Sequence, residues 1–196
     1  MKARFLSSDE LQRLQAACSF DDWLPFEIAL QTGMRIGDVL CLQAQNIGCG
    51  EIRYTAQKTG KHGVAPCDRE LCDIVRRGKR LGEFVFPGKR VGTHLTRQQA
   101  WNRIKSAAKR AKINPEGVSP HALRKSFAVR LYQREGLEAV QNALQHNRVS
   151  TTEIYTLSDW ISGENARLPL TRADIPYIVE RVFDALKCRI DNRADL

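Results

Sequence analysis

Six side chains in four short segments have the types and order to act together on an anion. In Thr32-Gly33-Met34-Arg35-Ile36-Gly37-Asp38 a glycine closes one helix and Arg35 opens the next, where unpaired backbone N–H groups already favour negative charge. In Gln57-Lys58-Thr59-Gly60-Lys61 a lysine stands at the tip of a short hairpin and can reach outward as an ammonium donor. In His121-Ala122-Leu123-Arg124 an imidazole and a guanidinium sit three residues apart, so one helix turn aims both at one place. In Leu144-Gln145-His146 a second histidine precedes Tyr155 by nine residues. Each segment taken singly has an ordinary reading: a solvated arginine, a polar turn, a surface helix, a half-buried packing tyrosine.

The elements that must position these residues are legible from caps and periodicity. Ser7-Ser8-Asp9-Glu10 has capping-box spacing before a first helix with Leu11 and Leu14 on one face. A second helix is predicted from Trp23 to Thr32, ending at Gly33, and a third from Ile36 to Leu42, with Cys41 as a small buried hydrophobe. Glu51–Thr55 and Val64–Pro66 read as the strands of a hairpin, and Phe84-Val85-Phe86-Pro87 as a third strand. From Thr96 the spacing of Ala100, Ile104, Ala107, Ala108 and Ala111 predicts a helix. Asn114-Pro115-Glu116-Gly117 breaks it, and Ser119 with Pro120 starts the next. Further helices are expected over Leu137–Gln145 and Thr151–Thr156. A last one carries the apolar stripe Ile175, Ile178, Val179, Val182, Phe183, Leu186 and Ile190. No internal repeat stands out. The fold class is α+β, mostly helical, with a small antiparallel sheet near the N-terminal third.

Composition narrows the partners. The 196 residues carry 31 Lys and Arg against 22 Asp and Glu, a formal net charge of +9. Such an excess suits a polyanion, because each cation placed on a phosphate releases condensed counterions. The six cysteines form no CxxC pair or disulfide framework, which points to a reduced, cytoplasmic setting. His62, Cys67, Cys72 and His94 match no zinc spacing, so no metal and no cofactor is expected. No apolar run approaches membrane-spanning length and no signal peptide opens the chain.

Taken in order, Arg35, the hairpin Lys58, His121-Ala122-Leu123-Arg124, His146 and Tyr155 nine residues on resemble the tyrosine recombinases and phage integrases. The resemblance covers nearly the whole chain. It implies that Arg35 and Arg124 clamp a scissile phosphate of double-stranded DNA, with Tyr155 as the nucleophile. Lys58 becomes the hairpin lysine (Lys61 is the alternative), and His121 and His146 the two site histidines. Lys61, Arg97 and Lys125 are further candidates for DNA contact. The chemistry suits these types. A phosphodiester attacked by a phenol gains negative charge on its non-bridging oxygens, which two permanently charged guanidiniums can hold. A phenol of pKa about 10 needs an acceptor for its proton, and a leaving 5′ oxygen needs a donor. Asp38 stands where the family often has Glu, and Gln145 where it often has Gly.

Two domain-level expectations follow. Residues 1–170 form the catalytic domain, and 171–196 an amphipathic helix and tail that packs on its own domain or docks on a neighbouring protomer in a synaptic tetramer. The resemblance also implies an N-terminal DNA-binding domain, of which only a few residues precede the first helix here, so weak site specificity is expected. The alternatives are a type IB topoisomerase-like enzyme, which reseals the same strand, and a non-catalytic DNA-binding regulator. Loss of Arg35, Arg124 or Tyr155 would have favoured the regulator. The target site, and integration as against excision, inversion or dimer resolution, are not encoded in any motif.

Overall fold

A computed structural model describes residues 3–77 and 79–144. The chain enters through α1 (Ser8–Ala16), whose capping box forms as expected: Ser7 Oγ accepts from Glu10 N at 3.2 Å and Glu10 Oε2 from Ser7 N at 3.0 Å. Helix α2 (Phe20–Thr32) begins three residues before its predicted start, because Ser19 caps it by accepting from Asp22 N. Its end is the predicted one. Gly33 takes a left-handed φ of 67° and donates its N–H to Ala29 O. Helix α3 (Ile36–Leu40) follows at once. A short 3-10 turn (Ala44–Asn46) then leads into the hairpin.

Strands β1 (Glu51–Thr55) and β2 (His62–Pro66) pair antiparallel, with Glu51 opposite Pro66 and Thr55 opposite His62. Alternation sends Ile52 and its partner Ala65 into the core, while Arg53 and Val64 face solvent. The expected third strand is not one. Phe84 and Pro87 make only single bridges, to Gln43 and His94. Val85 and Phe86 are both buried, which alternation forbids in a half-covered strand, and Pro87 has no N–H to extend a ladder.

Helix α4 (Arg69–Arg76), capped by Asp68, had no counterpart in the sequence reading; its buried side Leu71, Cys72 and Val75 is too short to show a period. Helix α5 (Arg97–Arg110) carries the predicted stripe, with Ala100, Ile104, Ala107 and Ala108 all buried. Helix α6 (Pro120–Leu144) joins two expected helices in one span, broken at Gly136 by φ 82° and ψ −173°. Past that break the chain folds back, so Val140 and Leu144 pack with Ala128 and Leu131 in a small second core. The main core lies between α2, α5, the start of α6 and the sheet's inner face. Among the described residues no helix is long and apolar enough to cross a membrane. Gln145, His146, Tyr155, the helix expected over Thr151–Thr156 and the stripe from Ile175 to Ile190 lie outside the described residues.

Candidate active site

The site grows out of Gly33. Its positive φ ends α2, and a Cβ placed there would come within 2.4 Å of Phe127 Cδ1 and 2.8 Å of Leu144 Cδ2. Only glycine fits between α2 and the two halves of α6. The same residue offers its carbonyl to Arg124 Nη1, while Leu144 O accepts from Arg124 Nη2 at 2.9 Å. Arg124 is 5% exposed, and its cation is held inside the protein by two carbonyls, that of Gly33 at the C-terminal end of α2, where the helix dipole is negative, and that of Leu144 on α6.

Two residues beyond Gly33, Arg35 occupies the N-cap position of α3 and makes no capping bond with its side chain. Asp38, in the first turn of α3, is 5% exposed and accepts from the backbone N–H of Gln57 through Oδ1 at 2.9 Å. That bond ties the hairpin tip to α3. The tip is closed by Ala56 N donating to Lys61 O, and by Gly60 N donating to Ala56 O, both at 2.8 Å. Lys58 projects from it into an open cleft of about 490 Å³. Arg35, Asp38, Gln57, Lys58, Arg97, His121 and Arg124 line that cleft together, from four separate elements.

The charge there is mainly positive, with Arg35, Lys58, Arg97 and Arg124 against Asp38, and His121 registers it. Loss of solvent on its inner side, then the Arg124, Arg35 and Lys125 charges, push the imidazole below its usual value of 6.5. His121 keeps solvent access at the cleft rim, where these charges favour its neutral form.

Some expectations need correction. Lys125, a candidate DNA contact, is 4% exposed: it stands one helix turn beyond His121, which feels its charge, and is buried rather than open at the surface. Lys61, the other candidate on the hairpin, is exposed. Cys41 is not a plain buried hydrophobe. It stands at the end of α3 with Sγ 3.2 Å from His94 Nε2 and accepts from Gln57 Nε2 at 2.7 Å. Of the residues weighed for a metal, His62 bonds Thr55 Oγ1, His94 faces Cys41, and Cys67 bonds Gln31, all in separate places.

Tyr54, on β1, was missed. Burial holds its phenol pKa above the usual value, against the lowering charges of Arg124 and Arg35 and with that of Asp38, so the ring lies within reach of the cleft's charges. Its partner across the sheet is Gly63, which leaves the ring room. Nothing in a five-residue strand separates such a tyrosine from an ordinary packing residue. Gly37 is the other omission: a Cβ there would sit 3.3 Å from Arg97 Cδ and 3.4 Å from Gln57 Oε1, so its bareness lets Arg97 and the hairpin meet.

Residues 4–160 match the model of the phage integrase family. The chain belongs to that family. Among its relatives, the tyrosine recombinase XerD of Ralstonia nicotianae is 33% identical over 169 residues, covering 77% of this chain and 54% of the relative. The chain spans about half the length of the curated relatives it matches. The catalytic domain of bacteriophage HP1 integrase superposes with a TM-score of 0.61 at 25% identity, over 87% of this chain and all of that domain. Lambda integrase bound to DNA superposes with a TM-score of 0.68 at 19% identity, over 87% of this chain and 65% of that one, a likeness of fold.

Proposed function

We propose that this chain is the catalytic domain of a site-specific recombinase that cuts and rejoins double-stranded DNA through a 3′-phosphotyrosyl intermediate on Tyr155. The observation that carries this reading is the cleft that gathers two arginines, a hairpin lysine and a histidine, with Arg124 held by two carbonyls. Arg35 and Arg124 hold the non-bridging oxygens of the scissile phosphate and stabilise the five-coordinate transition state more than the diester. His121 takes the phenol proton as Tyr155 attacks phosphorus. The bond to the 5′ oxygen breaks, and Lys58 protonates that oxygen as it leaves. His146 hydrogen-bonds the phosphate, and Arg97 and Lys61 meet the flanking backbone. Because the phosphotyrosine conserves the bond energy, a 5′-hydroxyl from a second duplex reverses the step without ATP. That reversal is strand exchange. It takes place in a tetramer on DNA, in the cytoplasm of a bacterium or in association with its nucleoid. The residues after 170 pack on their own domain or on a neighbouring protomer.

A nicked suicide duplex tests the assignment. The wild-type chain should form a slow-migrating covalent adduct on a denaturing gel in the presence of EDTA, and Tyr155→Phe should form none. An adduct of equal yield with Tyr155→Phe would refute the nucleophile, and DNA binding with no adduct would favour a non-catalytic DNA-binding protein.

A further inference from the structure

Residues 76–97 contain seven Lys and Arg (Arg76, Arg77, Lys79, Arg80, Lys89, Arg90, Arg97) and a single acid, Glu83, so this stretch holds most of the chain's net charge of +9. Within it one pattern occurs twice, ten residues apart: Gly78-Lys79-Arg80-Leu81-Gly82 and Gly88-Lys89-Arg90-Val91-Gly92. The structure gives both copies the same turn. Glu83 N donates to Arg80 O and Thr93 N to Arg90 O, each at 3.1 Å, with a left-handed glycine at the third position (Gly82 φ 87°, Gly92 φ 74°). This is the type II arrangement.

Neither turn is held by burying its tip, since Leu81 is 84% and Val91 105% exposed. Polar pins hold them instead. Gly82 N donates to Gln45 Oε1 at 2.6 Å, and Gln43 Nε2 donates to Gly82 O at 3.1 Å. At the second turn Gly88 N donates to Thr93 O at 2.8 Å and Thr93 Oγ1 to Arg90 O at 2.6 Å, packed so closely that a Cβ on Gly88 would lie 2.5 Å from Thr93 Oγ1. The two turns flank the four-residue stretch Phe84–Pro87, which at full extension spans about 14 Å. His94, which leaves the second turn, touches Cys41, and Cys41 touches the cleft residue Gln57. Among the described residues Arg80, Lys89 and Arg90 form no ion pair with an acid, whereas Lys79 is half-buried in a crevice beside Asp21 and Asp22.

A charge run left to solvent needs no such bracing. We infer that these twin turns are a second DNA-backbone contact surface, beside the cleft and separate from it, in which Arg80, Lys89 and Arg90 each meet a phosphate. The inference rests on the DNA reading of the cleft but not on its chemistry. Three fixed cations spaced along the surface add affinity and salt dependence without touching the scissile phosphate.

Equilibrium binding to a nicked duplex across a salt series tests this with R80Q/K89Q/R90Q. A control, R69Q/K109Q/R134Q, loses equal charge elsewhere on the surface. Expected for the twin-turn variant is a slope of log affinity against log salt shallower by about 2–3 and an affinity at least roughly tenfold weaker at 0.1 M salt. Adduct formation at saturating protein should stay at the wild-type rate, and the control should bind within about threefold of wild type. The partial variants R80Q and K89Q/R90Q should each lose part of the slope, which guards against one turn failing to fold. An unchanged slope, or an equal loss in the control, overturns the inference while wild-type adduct formation leaves the cleft assignment standing. A wild-type chain whose DNA affinity does not depend on salt overturns both.

Discussion

Arg35 and Arg124 share a cleft and a charge, yet the protein treats them differently. Arg124 is buried and its fork is divided between Gly33 O and Leu144 O, whereas Arg35 is half-exposed at a helix start. Lysine in either place keeps the charge and loses the planar fork. Both Arg35→Lys and Arg124→Lys should therefore slow adduct formation by about 10²–10³-fold in single-turnover assays, the scale of losing one transition-state donor. Stability separates them. Arg124→Lys leaves a buried carbonyl short of its donor and should cost about 1–3 kcal/mol in urea denaturation, while Arg35→Lys should cost little. Equal stability losses would sink the pinning argument. At the same scale, His121 is pushed down by burial and by Arg124, Arg35 and Lys125. Folded, it takes a proton at a lower pH than the unfolded chain does, so the unfolded chain binds more protons in the interval between. Its contribution to stability is then complete above about 6.5 and declines as pH falls below that value. As the proton acceptor of the proposed reaction it should also place the acid limb of the adduct rate below pH 6.5. A limb at or above that value in wild type, absent from His121→Gln, would contradict a neutral imidazole.

Among the elements, the junction at Gly33 and the tie at Asp38 matter most. Gly33→Ala forces a left-handed alanine and drives its Cβ into Phe127 and Leu144. The expected loss is about 2–4 kcal/mol in urea denaturation, with the slope m unchanged. Loss of less than about 1 kcal/mol would mean that α6 moves aside readily. The hairpin depends on Asp38 accepting from Gln57 N, which fixes where Lys58 starts. Asp38→Ala should therefore imitate Lys58→Ala in slowing cleavage. Both defects should shrink on a substrate whose leaving group is a 5′-thiol, which needs no proton donor. If the thiol substrate restores Lys58→Ala but not Asp38→Ala, the carboxylate serves the arginines more than the hairpin.

For the whole molecule, charge is the organising quantity. On the proposed reading, a net +9, with much of it over residues 76–97 and in the cleft, makes DNA affinity an ion-exchange process. For this 196-residue chain the affinity should fall by at least about tenfold between 50 and 200 mM salt, with little preference among duplex sequences, since phosphate contacts carry no sequence information. Tight, sequence-specific binding at physiological salt, read by competition footprinting, would contradict it.

Local chemistry alone determined much of this protein. Ser7 with Glu10 starts α1, Gly33 stops α2, Thr96 opens α5, and Ser119 with Pro120 opens α6, because caps and breakers act within three or four residues. The order Arg35, Lys58, His121, Arg124 was also readable, since its residue types and spacings are visible along one dimension. What tertiary structure decided is where those residues end up. That Arg124 is buried while Arg35 is half-exposed, and that Lys125 turns inward, depends on α2 meeting both halves of α6 at a residue without a side chain. Tyr54 within reach of the arginine charges, Cys41 against His94, and Phe84–Pro87 making only isolated bridges are tertiary outcomes as well. Most depend on a partner far off in the chain, and no local propensity encodes distance through space.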